Sequence, residues 1–359
     1  MIRSGLALEG VALRLGAFRL ASIDLAVEPG EVLVLLGPNG AGKSVTLEAI
    51  AGFHRLAAGR ILLGARDITD IPPERRRISL LFQNFALFPH LSAAGNVALA
   101  LRAAGLAPAP ARIAELLARF GVAPLAARLP ELLSPGEKQR VALARALAGK
   151  PELFLFDEPF SALDAPTRAS LRDSLKEFLR QAGAPSVFVT HDPVEALALA
   201  DRLALLRDGA VIQSGAAADV YRAPADRLAA RLLGVENILP ARLVDCAGPG
   251  WRIRVGEAVL ELAGSNVPHT LPSELFFCLR AEEVVLAAAA GERQSAFPSN
   301  HLAARITAIR HAGALLKISL DCGFPLIAAL TEREARALNL ASGVQVLVEI
   351  DPMAIRLVG

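Results

Sequence analysis

The octapeptide Gly37-Pro38-Asn39-Gly40-Ala41-Gly42-Lys43-Ser44 has the spacing G-x-x-x-x-G-K-[ST] and lies between the apolar run EVLVLL and the helix-like VTLEAIAG. A strand that turns through glycines into a helix is the context this motif needs to cradle phosphates. Backbone N–H groups from Asn39 to Val45 converge on the α- and β-phosphates, with the positive end of the helix behind them. Lys43 reaches the β- and γ-phosphates, and the Ser44 hydroxyl is a Mg²⁺ ligand. A chance glycine-rich turn is the rival explanation. Average glycine usage allows on the order of one such match per hundred chains of this length, fewer with these flanks.

A second chemical pair closes the apolar run LFLFDEP. Asp157 is placed to hold Mg²⁺ through water or Ser44, and Glu158 to polarise an attacking water as general base. Two carboxylates at a strand end are usually solvated surface charge, but a phosphate loop upstream makes them its complement. A third stretch, LSPGEKQRVALARAL, opens a helix: Ser134 is the N-cap, Pro135 suits the first position, and Glu137 completes a capping box. Gly136 is out of place there, since glycine costs a helix about 1 kcal/mol relative to alanine. A helix start is also an anion site, which glycine lets an anion approach closely.

These residues need a scaffold of strands ending side by side. Up to about residue 236, short apolar runs alternate with helical patterns, which predicts a mostly parallel α/β sheet. EVLVLL (31–36), LFLFDEP (153–159), SVFVTHD (186–192) and RLALLRDG (202–209) read as its strands, most of them buried on both faces. A helical subdomain is expected over about 84–150. From 237 to 359 the strands are short and alternating, separated by glycine and proline, which predicts a small β-rich, barrel-like domain.

The 359 residues carry 38 Lys+Arg against 36 Asp+Glu, a net charge of +2, which gives no support to nucleic-acid binding. The apolar share is 53%, yet no apolar run approaches the ~18 residues of a membrane span. MIRSGLALEG has no charged start followed by a long apolar stretch, so no signal peptide is expected. Cys246, Cys278 and Cys322 are too widely spaced for a disulfide framework or a CxxC metal site, consistent with a reducing compartment.

In order, GPNGAGKS, LFQNFALFPHLS, LSPGEKQRVALARAL, LFLFDEPFSALD and VFVTHD resemble the ATP-binding-cassette (ABC) family, specifically importer ATPase subunits, over about residues 3–236. The resemblance implies a head-to-tail homodimer sandwiching two ATP molecules. Ser134, Gly136 and Glu137 then face the γ-phosphate held by the other subunit's loop. It further implies that Gln83 touches Mg²⁺ and the attacking water, Asp164 crosses the dimer interface, and His191 contacts the γ-phosphate. Asp192 reads as a structural helix cap.

Three departures from the family pattern stand out. Pro135 replaces a glycine and removes one N–H, which predicts retained activity with weaker closure. Val45 replaces the usual threonine. Phe18 is the available aromatic for adenine, with core packing equally open to it. Two membrane-spanning permease subunits and an extracytoplasmic solute-binding protein are implied as partners, and the cytoplasmic face of the inner membrane as the location.

The tail resembles the TOBE or Mop-like domain of some importers, through FFCLRAEEVVL (276–286) and the segment 299–350. Similarity to molybdate or tungstate importer ATPases makes such an oxyanion the first expectation for cargo. Iron(III), sulfate, polyamine and sugar importers share the layout and are the alternative. A soluble ABC ATPase acting on DNA or ribosomes is disfavoured, because neither a second cassette nor a long coiled-coil insertion is visible. A non-catalytic regulator is disfavoured by intact Lys43, Asp157, Glu158 and His191.

Overall fold

A computed structural model describes residues 5–247, 250–263, 274–288 and 300–359. Ser299, the first residue of the TOBE-like closing segment, lies outside the described residues. The chain forms two compact units, one ending at Tyr221 and the other beginning at Arg222.

The first unit opens with strands β1 (Leu6–Leu15) and β2 (Phe18–Val27), which join β4 (Ala58–Leu63) and β5 (Arg66–Asp67) in an antiparallel sheet of order β2-β1-β4-β5. Sequence patterning does not foresee this sheet. Register shifts between Leu8, Val11 and Leu13 break the strict alternation by which a half-buried strand is recognised.

The second sheet contains the predicted strands. It comprises β3 (Val32–Leu36), β6 (Ile78–Leu81), β7 (Leu153–Asp157), β8 (Ser186–Thr190), β9 (Arg202–Arg207) and β10 (Ala210–Ala216), in the order β10-β9-β3-β8-β7-β6. Only the edge strand β10 runs antiparallel. All five residues of β3 are buried, as an inner strand covered on both faces demands.

One face packs Leu33, Leu35, Leu155, Val187 and Val189 against Leu47 and Ile50 of helix α1 (Lys43–Ala51) and against β1 and β2. On the other face Phe156 stacks on Phe188 at 4.4 Å, and Phe154 meets Phe178 of α5 (Ala165–Ala182) edge-on.

Between β6 and β7 lie helices α2 (Ala93–Ala103), α3 (Pro110–Arg119) and α4 (Pro135–Ala146). Helix α6 (Pro193–Leu199) follows β8, and α7 (Ala217–Arg222) follows β10.

The second unit starts with helix α8 (Arg227–Leu232) and strands β11 (Asn237–Ala247), β12 (Gly250–Val255), β13 (Ala258–Ala263) and β14 (Leu275–Leu279). Then follow β15 (Val284–Ala288), β16 (His301–Ala312), β17 (Leu315–Asp321), β18 (Pro325–Thr331), α9 (Glu332–Ala337), β19 (Gln345–Ile350) and β20 (Arg356–Val358). Two five-stranded sheets, β13-β12-β11-β14-β20 and β15-β19-β16-β17-β18, enclose one core that includes Ile253, Phe277, Ile318, Ala328 and Val348.

The division at Tyr221/Arg222 falls before the boundary expected at 236/237. The reason is packing: Ala230 of α8 and Val235 are buried with Phe276, Cys278 and Val358 of the second unit's sheet.

Candidate functional site

Parallel strands put their carboxyl ends on one edge, and β3, β8, β7 and β6 are consecutive neighbours. The phosphate loop follows β3, His191 follows β8, Asp157 and Glu158 end β7, and Gln83 lies just beyond β6. Ligands of open α/β sheets bind at such strand ends.

Gly37 leaves β3 so close to β9 that a Cβ on it would lie 2.4 Å from the Leu206 carbonyl oxygen. Gly42 is the N-cap of α1, with φ 101° and no side chain to bond the helix's first N–H groups. A Cβ there would lie 2.8 Å from Phe18 Cζ. Glycine therefore meets a conformational and a spatial demand together, and the bare helix start suits an anion.

The Lys43 ammonium, in a residue only 6% exposed, donates to Gly37 O at 2.8 Å and Pro38 O at 3.0 Å. Burial pushes its pKa down, while Glu158 and Asp157 act in the opposite sense. A buried cation folded over its own loop is positioned for a phosphate.

Ser44 Oγ donates to Asp157 Oδ1 at 3.1 Å. Burial raises the Asp157 carboxyl, and the Ser44 hydrogen bond partly offsets this. One hydroxyl and one carboxylate are hard oxygen donors that leave positions for phosphate oxygens and water, which fits Mg²⁺.

Glu158 sits in the left-handed region at φ 47°, a strain of about 1–3 kcal/mol for a non-glycine residue. Its two oxygens are held separately: Gln83 Nε2 donates to Oε2 at 3.3 Å, and His191 Nδ1 is 2.9 Å from Oε1. Its side chain is 14% exposed, against 61% for His191, so the histidine forms the solvent side of the pair.

The remaining predicted residues sit elsewhere. Ser134 and Glu137 form the expected capping box: the Ser134 N–H donates to Glu137 Oε2 at 2.7 Å, and the Glu137 N–H donates to Ser134 Oγ at 3.3 Å. Pro135 occupies the first turn of α4, where no N–H is needed, so the helix accepts it without losing a bond. Gly136 packs beside Leu163 and the Ala162 carbonyl. Asp164 caps α5, accepting from the Thr167 N–H at 2.9 Å. Among the described residues, none of Ser134, Gly136, Glu137 and Asp164 hydrogen-bonds the phosphate loop. Asp192 caps α6 through the N–H groups of Val194 and Glu195. Phe18 and Val45 are half-buried against the core, with the Phe18 ring against Gly42.

Two residues of LSPGEKQRVALARAL to which the sequence reading gives no role tie the site together. Gln139 is fully buried; its Nε2 donates to Glu158 O at 3.4 Å, and its Oε1 accepts from the Ala162 N–H at 3.2 Å. Arg145 donates to Ala86 O at 2.6 Å and Phe85 O at 2.9 Å, holding the segment just after Gln83. Phe85 and Ala86 are both left-handed, at φ 64° and 46°. Gln139 carries a findable signal, since it shares the i, i+3, i+4, i+7 stripe of Ala142, Leu143 and Ala146, where an amide needs a partner. Nothing in the local pattern marks Arg145.

Fold and site together define a P-loop nucleotide-binding ATPase domain joined to a β-rich second unit. The ABC transporter family profile matches residues 20–161, and the TOBE domain profile residues 298–357. The chain is 42% identical over 251 residues to the Fe(3+) ions import ATP-binding protein FbpC of Agrobacterium fabrum, covering 69% of this chain and 71% of that one. It is 46% identical over 237 residues to the spermidine/putrescine import ATP-binding protein PotA of Frankia alni, covering 65% of this chain and about half (51%) of that one. A solved ATP-binding cassette, a dimer in a post-hydrolysis state with ADP and Pi, superposes with a TM-score of 0.54 at 30% identity, over 59% of this chain and 98% of that one. The chain belongs to the ABC transporter family, as an ATP-binding protein of the import type with a TOBE domain.

Proposed function

We propose that this chain is the ATP-hydrolysing subunit of an importer. The observation that carries the reading is the grouping at one sheet edge of Lys43, the Ser44–Asp157 pair, and Glu158 held between Gln83 and His191. Lys43 and the loop N–H groups bind the triphosphate. Ser44, Asp157 and Gln83 would hold Mg²⁺, which when bound neutralises charge on the β- and γ-phosphates. Glu158 orients and deprotonates the attacking water, and His191 fixes one carboxylate oxygen while its exposed ring faces the γ-phosphate.

Ser134, Gly136, Glu137 and Asp164 act across a homodimer, supported by the dimeric ATP-binding cassette to which the chain is similar. Their separation from the loop within one chain is what such an arrangement requires. The import names of the relatives support an assembly with two permease subunits and a solute-binding protein, this subunit lying peripherally at the cytoplasmic face of the inner membrane. No helix among the described residues is long and apolar enough to cross a membrane.

For cargo, the relatives favour the alternative over molybdate or tungstate: their names specify iron(III) and spermidine/putrescine import. We place iron(III) first, because several iron-import relatives align over 69–74% of this chain.

Glu158→Gln is the direct test. The parent should release phosphate from Mg-ATP, and the variant should lose roughly 10²-fold or more in turnover while retaining ATP as a dimer in light scattering. Unchanged turnover refutes the assignment. Uptake of radiolabelled iron(III) against spermidine in a strain lacking the gene decides the cargo.

A further inference from the structure

The outer face of the sheet β13-β12-β11-β14-β20 changes character along its width. Where α8 covers it, Phe276, Cys278 and Val358 are buried. Beyond that cover, Arg242 of β11 stands directly opposite Arg254 of β12, and both are exposed. Like charges facing each other across a ladder destabilise it. The neighbouring pair shows the usual solution: Asp245 lies opposite Arg252 and accepts from its Nε at 2.7 Å. Arg242 and Arg254 form no ion pair with any described residue.

A third guanidinium faces the same space. Arg227, in the first turn of α8, lies over the Phe276 ring at 4.4 Å from its centroid. That stacking fixes the direction of the charge without neutralising it. Arg227, Arg242, Arg254, Pro240 and Phe276 line one cavity of about 670 Å³, with Glu274 as the acidic residue among its lining.

We propose that this cavity binds a small organic molecule carrying two anionic groups. One group would bridge Arg242 and Arg254, removing their repulsion, and the other would meet Arg227. Guanidiniums recognise phosphoryl and carboxylate groups through the same paired N–H geometry. The cavity is far larger than a single tetrahedral oxyanion, whose share of space is comparable to a few waters of about 30 Å³ each. Pro240 and Phe276 supply an apolar wall for the part of the ligand between its charges.

The test is calorimetric titration of the full chain, saturated with Mg-ADP so that the phosphate loop does not compete. The probes are fructose 1,6-bisphosphate and citrate, with inorganic phosphate as the single-anion control. One of the two larger probes should bind at least tenfold tighter than phosphate, and which one does identifies the anionic group. Arg242→Ala with Arg254→Ala should weaken it by tenfold or more, as loss of charge-assisted hydrogen bonds implies. Arg227→Ala, which leaves the ladder untouched, should weaken it as well. The ligand-free double variant should melt no lower than the parent, because it loses a repulsion. Failure of both probes to exceed phosphate, as an acidic protein partner would give, overturns the proposal. So does an affinity that survives both sets of substitutions.

Discussion

Arg145→Met should separate positioning of the segment after Gln83, proposed to be catalytic, from nucleotide binding. In the parent, Arg145 makes two hydrogen bonds, to the carbonyls of Phe85 and Ala86. Bonds from a charged donor contribute about 1.5–3 kcal/mol each, or roughly 3–6 kcal/mol for the two. The left-handed backbone of Phe85 and Ala86 costs about 1–3 kcal/mol per residue, or roughly 2–6 kcal/mol together. The two sums are comparable, so Arg145 supplies about what the strained turn requires. Methionine keeps the stem's packing and removes both donors.

The turn should then relax, and Gln83, two residues before Phe85, should lose its 3.3 Å contact with Glu158. A misplacement of about 1 Å can cost roughly 10²-fold in rate. Arg145 makes no bond to residues 37–45, so nucleotide affinity should stay within about twofold, below about 0.5 kcal/mol. Steady-state phosphate release and equilibrium binding of a fluorescent nucleotide measure the two effects separately. Arg145→Lys should fall between, since an ammonium lacks the planar fork that serves two carbonyls. A folded Arg145→Met protein with parental turnover, or one that loses affinity instead of rate, refutes the reasoning.

Two further outcomes follow from groups beside the site. Glu195 is buried, accepts from Thr190 Oγ1 at 2.7 Å through one oxygen, and has its other oxygen buried without a hydrogen-bond partner. Burial raises its carboxyl above the ordinary 4.5. The folded state thus holds this proton more tightly than the unfolded state, so the stability contribution falls as pH rises from 4.5 through the folded value. Glu195→Gln should melt higher than the parent at about pH 7.5, with the gap closing below the unfolded value; a gap independent of pH contradicts this. Gly37→Ala forces a Cβ to 2.4 Å from the Leu206 carbonyl in β9. Overpacking of this kind costs about 1–3 kcal/mol, which calorimetry should register as a lower Tm together with weaker nucleotide binding; an unchanged Tm would mean the strand yields freely.

Much of the site is legible in the chain because its parts are short and local. Gly37–Ser44 must be a strand-to-helix turn for chemical reasons, and Ser134–Glu137 is a complete cap within four residues. Contiguous apolar runs identify β3, β7, β8 and β9 since inner parallel strands are buried on both faces. The antiparallel sheet of β1, β2, β4 and β5 escapes the same reasoning because its bulges interrupt alternation. The unit boundary escapes it too, since only packing of Ala230 and Val235 with Phe276 and Val358 assigns α8 to the second unit.

Residue chemistry along the chain therefore specifies the strand-to-helix turn at 37–44, the cap at 134–137 and the carboxylate pair at 157–158 on which the proposed phosphate chemistry rests, since motif spacing encodes local backbone geometry. It does not specify the order β10-β9-β3-β8-β7-β6, which brings residues 37–44, 83, 157–158 and 191 to one edge. Nor does it specify that Gln139 and Arg145 fasten α4 to Glu158 and to the turn after Gln83, or that Arg242 faces Arg254. Those are contacts between distant segments, set by the pairing of strands and the burial of helix faces, and no short stretch of sequence carries them.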